Sequence, residues 1–226
     1  MNTLDSRFCR LGDTFAQRFV ESGNYAYDFN LPGLPPFGHD SRYSISVKGA
    51  FDSNKEGKQH FVTVRREGNN FVANPAKLEI ETGDVVLWST HESNTPGFSI
   101  SGKSENDSFN SGYMVRNAMY SHAFGSPGEI EWWNANAQGP AGKIVVKMPR
   151  TDSAKDMEAF KKTLEEGAVI IINGKKADKK QMEIFVGQTV FFAVEQAEGI
   201  AITERRPNMP GPEPPIAQTA KRSSDT

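Results

Sequence analysis

Gly83-Asp84-Val85-Val86-Leu87-Trp88 sets the architecture, because its apolar pattern recurs later in the chain. With Leu78 and Ile80 before it, it matches Gly187-Gln188-Thr189-Val190-Phe191-Phe192, preceded by Met182 and Ile184, 104 positions later. A second match runs in the opposite direction along the chain. Phe124, Gly128, Ile130 and Trp132 repeat the pattern of Phe19, Gly23, Tyr25 and Tyr27 at an offset of 105. Self-similarity at a fixed spacing points to a duplicated unit. Between these landmarks the chain reads in short alternating runs such as Phe61 to Val64, Leu78 to Ile80 and Lys143 to Lys147, broken by Gly, Pro, Asn and Asp. That is the pattern of an antiparallel sandwich or barrel, so the expected class is all-β.

The two matches are out of phase. Residues 58–148 hold a front half and a back half in order, residues 12–48 only a back half, and residues 168–204 only a front half. An orphan half leaves unpaired strand edges and an uncovered apolar face. The expected solution is one continuous sandwich over 58–148 and a second closed from the two chain ends, 12–48 with 168–204. The runner-up joins the ends of neighbouring chains in a domain-swapped oligomer. Residues 151–166, rich in Lys, Glu and Ala with Met157, Phe160 and Leu164 on one face, are expected to form a linking helix capped by Ser153 and stopped at Gly167. The Pro-rich and polar residues 207–226 read as a disordered tail.

Composition narrows the function. The 226 residues carry 26 Lys and Arg against 28 Asp and Glu, a formal net charge of -2, which lacks the clustered basic excess that nucleic acid requires. No apolar run reaches the ~18 residues of a spanning helix, and Met1 to Leu11 lacks the order of a secretion signal, so a soluble cytoplasmic protein with no membrane partner is expected. The single Cys9 excludes an internal disulfide.

The middle segment resembles a cupredoxin, the Greek-key sandwich of blue copper proteins. The residues that carry the resemblance are Gly83 to Trp88, Phe109-Asn110-Ser111-Gly112, Tyr120 to Phe124, Pro127 to Trp133 and Gly142 to Val146. The ends resemble it through Gly12 to Phe15, Gly23 to Tyr27 and Val186 to Val190, which implies a circularly permuted arrangement of two cupredoxin-like units. In that family a type-1 copper site needs Cys, two His and usually Met. Carried onto this chain, the Cys position falls on Asn134, the second His on Ala137, the Met on Pro140 and the first His near Gly97. In the split unit the corresponding positions are Phe29, Pro32 and a residue near Ala201. The resemblance thus implies a fold without its copper site, and no cofactor is expected.

The remaining polar residues offer three readings. The leading one is a copper-free binding or assembly protein that recognises a small ligand or a protein partner at the former copper-loop rim, through Asn134, Asn136, Gln138, Trp132 and Trp133, with Tyr113 and Met114 nearby. Trp132 and Trp133 are adjacent, so only one can face the core. A second reading is an unconventional copper site drawn from His91, His122, His39, His60, Met114 or Met119. A third is a small-molecule enzyme in which His91 and Glu92 do acid-base work.

Overall fold

The computed structural model describes residues 4–31 and 42–204. His39, Pro32 and the tail 207–226 lie outside the described residues. Nine strands precede the middle of the chain: β1 (Asp13–Arg18), β2 (Gly23–Asn30), β3 (Tyr43–Lys48), β4 (Gln59–Glu67), β5 (Asn70–Asn74), β6 (Lys77–Glu81), β7 (Val85–Ser89), β8 (Ser99–Lys103) and β9 (Ser108–Asn110). The rest are β10 (Ala118–Ala123), β11 (Gly128–Asn134), β12 (Ala141–Lys147), helix α1 (Ala154–Glu166), β13 (Ala168–Asn173), β14 (Lys176–Ala177), β15 (Gln181–Phe185), β16 (Thr189–Gln196) and β17 (Ile202–Glu204). The all-β expectation holds. Period-two alternation makes these strands: Tyr25, Tyr27 and Phe29 of β2 and Tyr43, Ile45 and Val47 of β3 are buried, while the residues between them are not.

One sheet of eight strands, in the order β14-β13-β16-β10-β1-β7-β4-β5, runs through the whole molecule. Its centre is the antiparallel pair β1 and β10, in which Phe15 lies opposite Tyr120. Directly paired residues project to one face, so the two aromatic rings point to the same side of the sheet. There the five-stranded sheet β6-β3-β2-β8-β9 covers the β1 half, with Trp88 of β7 packed at 5.6 Å from Tyr27 and 5.3 Å from Phe109. The four-stranded sheet β15-β12-β11-β17 covers the β10 half, with Trp132 at 5.1 Å from Phe192. Two sandwiches therefore stand side by side on one continuous sheet. Outward from the central pair both halves read alike: β4 runs parallel to β7 and β13 to β16, and in the covering sheets β3 runs parallel to β6 and β12 to β15.

This pairing corrects the expected domain division. Residues 58–148 do not form a sandwich of their own, and 12–48 does not close on 168–204. Instead β2 and β3 pair with β8 and β6, and β11 and β12 pair with β17 and β15. Each orphan half is completed by the half of the middle segment next to it. Chain entropy favours that choice, since closing a loop costs ~0.6 kcal/mol more for each doubling of its length. The helix differs less. Ser153 is its N-cap, its Oγ accepting the Asp156 N–H at 3.1 Å, and Gly167 ends it at φ 63°. Phe160 reaches Phe185 at 6.2 Å, but no residue of the helix is buried.

The segments leading into the two halves exchange places. β9 leads into β10 of the second sandwich yet adds to the edge of the first, pairing with β8. Residues 4–6 lead into β1 of the first sandwich yet add to β17 of the second, through the Asp5–Thr203 bridge and the Glu204 N–H to Leu4 carbonyl bond of 2.9 Å. Ser6 donates its N–H to the Ile202 carbonyl at 2.8 Å while its Oγ accepts the Ile202 N–H at 3.0 Å. Ser111, 105 positions later, does the same with Ile100 at 2.9 and 3.1 Å. Cys9, bridged to Phe98, and Met114, bridged to Ile200, then return each segment to its own sandwich.

Both seryl oxygens are buried and serve a buried backbone donor. Replacing either Ser6 or Ser111 by Ala strands that donor, and an unsatisfied buried group costs ~1 to 3 kcal/mol. A drop of that size in unfolding free energy for each variant, read from urea titration, is the expected outcome.

Candidate functional site

The loop after β11 is built around its amides. Asn134 is buried at the end of β11, and its Oδ1 accepts the Ala201 N–H at 2.9 Å and the Asn136 N–H at 3.2 Å. Asn136 turns its Nδ2 to two carbonyls, Gly112 at 2.8 Å and Gly199 at 3.2 Å. These bonds tie the loop 135–140 to the segment before β10 and to the turn before β17. Gly199 has φ +72°, and a Cβ there would come within 2.8 Å of the Tyr113 ring, so the aromatic lies flat against a position only glycine suits. Tyr113 is 54% exposed and Gln138 is exposed, leaving a rim whose backbone is braced from within and whose outer side is open.

The structure regroups the positions that the family resemblance singles out. Ala201, not Gly97, lies beside Asn134. Gly97 belongs to the other sandwich, just before Phe98, whose ring packs edge-on at 5.6 Å against Phe29. Phe29 and Asn134 therefore end equivalent strands, one filled by an aromatic cluster and the other by a hydrogen-bonded amide.

Trp132 and Trp133 part company as adjacent strand residues must. Trp132 is buried against Phe192, while Trp133 is half-buried on the opposite face of its sheet. There it lines a shallow cavity of about 350 Å³ with Glu131, Ala141, Gly142, Lys143 and Lys180, to which Trp132 also contributes and which includes none of the rim amides. The five residues expected to share one pocket are thus distributed over the rim, the core and the outer sheet face. Met114 is buried in its bridge to Ile200, and Met119 projects from the opposite face of the large sheet to His122 by strand alternation.

The histidines are separated. His91 is exposed just beyond β7, and its neighbour Glu92 is engaged elsewhere, accepting from Thr95 Oγ1 at 3.2 Å. His60 sits with Nε2 at 2.7 Å from Asp84 Oδ2. His122 is buried opposite Asp13 in the central strand pair, its Nδ1 2.6 Å from Asp13 Oδ1. The same oxygen accepts the Tyr120 hydroxyl at 2.8 Å, and that hydroxyl accepts the Asp5 N–H at 3.2 Å. Sequence reasoning missed this network because Asp13 meets its partners across 109 and 107 positions. Among the described residues no three His, Cys, Asp or Glu side chains converge as metal ligands.

Two environments shift acid-base behaviour. Cys9 is fully buried, and desolvation, reinforced by the Asp13 and Asp5 charges, pushes its thiol well above the ordinary range. It stays protonated and hidden, so no reaction with a thiol reagent is expected until the protein is denatured, a result that a colorimetric thiol assay reads directly. Asp84 is the second case. Burial pushes its carboxyl up, but His60 and the N–H groups of Lys58 and Glu81 outweigh burial and leave it below its usual 3.8. A depressed carboxylate stabilises the fold above its unfolded value, and the contribution fades as pH falls through the folded one. Asp84→Asn is therefore expected to destabilise at pH 7 by ~1 to 3 kcal/mol and to match the parent in strong acid, as urea titrations at both pH values test. No helix among the described residues is long and apolar enough to cross a membrane. No protein-family model, no curated protein and no solved structure matches the chain.

Proposed function

We propose that the chain is a pair of permuted, duplicated cupredoxin-like units that act by binding rather than by copper chemistry, with the loop rim around Tyr113, Asn136 and Gln138 receiving a small ligand or a partner's side chain. The observation that carries this reading is the Asn134 Oδ1 bond to the Ala201 N–H at 2.9 Å. At the position where the family resemblance calls for thiolate, an amide is committed to the backbone next to the position where it calls for imidazole. An amide used in this way stiffens the loop, and a stiff loop loses little freedom on binding. The exposed Tyr113 ring suits recognition because an aromatic offers a large rigid contact area with a polar tip. Retention of the sandwich with its ligand positions refilled supports a scaffold kept for what its surface holds.

Restoring the missing ligands tests the resemblance. The combined variant Asn134→Cys, Ala137→His, Pro140→Met and Ala201→His is expected to take up one Cu(II) with an intense visible thiolate charge-transfer band, while the parent shows no band and no stoichiometric uptake by calorimetry. A folded variant, verified by circular dichroism, that takes up no copper overturns the cupredoxin reading. Tight one-to-one copper binding by the parent overturns the proposal that it works without copper.

A further inference from the structure

The face of the eight-stranded sheet that points away from both covering sheets carries a continuous apolar row. Cross-strand registers align Phe61 with Leu87, Leu87 with Ala16, Ala16 with Met119, Met119 with Ala193, and Ala193 with Ile171, so the row crosses six strands without a charge. The adjacent row, Thr63, Ser89, Thr14, Ser121, Phe191 and Val169, is uncharged as well. Phe61 is 65% exposed and Val169 41%, Leu87, Met119, Ala193, Ile171 and Phe191 are half-buried, and the small Ala16 and Ser121 at the centre are buried between their neighbours. Charged residues, Arg65, Arg18 and Glu195, enter only toward the borders. An uncharged apolar centre with a charged rim is the anatomy of a protein interface, and a sheet face turned to solvent would instead present polar side chains here.

We propose that this face is where two copies of the chain associate, sheet against sheet, about a two-fold axis parallel to the strands and lying between β1 and β10. The row itself points to a second copy. Such an axis exchanges its left and right halves and sets each residue over its counterpart: Ala16 over Met119, Leu87 over Ala193, Phe61 over Ile171. In the central two pairings a small side chain meets a large one, so the surface is complementary to itself, which an isologous contact requires. The twist of each sheet carries the outer strands apart, which keeps the closest contact on the four middle strands. Six strands at ~4.8 Å and two rows of alternate residues, four residues at ~3.3 Å, give a patch of roughly 29 by 13 Å, or ~380 Å², below the ~600 Å² per partner of standard interfaces and in the range of weak, transient contacts. The expected complex is a reversible dimer. The proposal does not rest on the cupredoxin resemblance or on the loop rim.

Sedimentation equilibrium of the full chain at up to ~500 μM is expected to show a species of twice the chain's 25.0 kDa that dissociates on dilution, as a small interface predicts. Leu87→Glu with Ala193→Glu sets like charges face to face and is expected to abolish it, whereas Leu87→Glu with Ala193→Lys is expected to restore it. Circular dichroism and melting report whether each variant folds. Leu87→Cys with Ala193→Cys provides a readout of orientation. The two positions lie three strand spacings apart in one chain, ~14 Å, but face their counterparts across the ~10 Å between stacked sheets, so a thiol-reactive bifunctional linker with a spacer of about 10 Å is expected to yield covalently linked dimers. A parent that stays monomeric at ~500 μM overturns the proposal, being either without a partner or occupied by residues of its own chain or a different protein. So does a dimer that survives the double Glu variant, or a Cys variant that the bifunctional linker leaves monomeric.

Discussion

Everything in the molecule is arranged about one antiparallel strand pair. β1 and β10 join at Phe15 and Tyr120, and because their paired side chains project to one side, both covering sheets must lie on that side. The pair makes two sandwiches into one structure, since each half of the large sheet is incomplete at its inner edge without the other. An exposed inner edge would present a row of unsatisfied backbone groups, the usual starting point for aggregation. The same pair holds the buried hydrogen-bonded group of Asp13, His122 and Tyr120. In a low-dielectric interior such a group specifies register, because a slip would separate a carboxylate from both its partners.

The exchanged edge strands make a second link between the halves. β9 and residues 4–6 each complete the covering sheet of the sandwich they do not lead into, and Ser6 and Ser111 supply the same pair of backbone bonds at the two places. With the central pair below and the exchanged edges above, the two sandwiches are coupled on both layers, and neither has a surface of its own along their boundary.

Much of the fold was legible in the sequence. The offsets of 104 and 105 mark equivalent strands, alternation marks their faces, and Ser153 and Gly167 bracket the helix. Which half pairs with which was not legible, because equivalence along the chain states what is alike and not what is adjacent. Extending the match back to Ser6 with Ser111 and Cys9 with Met114 would have shown that a leading segment accompanies each half. The site was read less well. That Asn134 replaces a ligand could be inferred from resemblance, but its use depends on Ala201, 67 residues away. The apolar outer face was signalled by Val85-Val86-Leu87-Trp88, which is apolar at every position rather than at every second one.

The exchanged segment 4–6 also ties folding to the direction of synthesis. The first sandwich has all its strands once Asn110 has emerged, but Leu4 to Ser6 have no strand to pair with until Ile202 to Glu204 are made. At ~5 to 20 residues per second the ribosome keeps this segment waiting for several seconds or longer after the first sandwich can close. During that interval Leu4 to Ser6 lack the strand they join, and the segment that secures them is made 196 residues after Ser6.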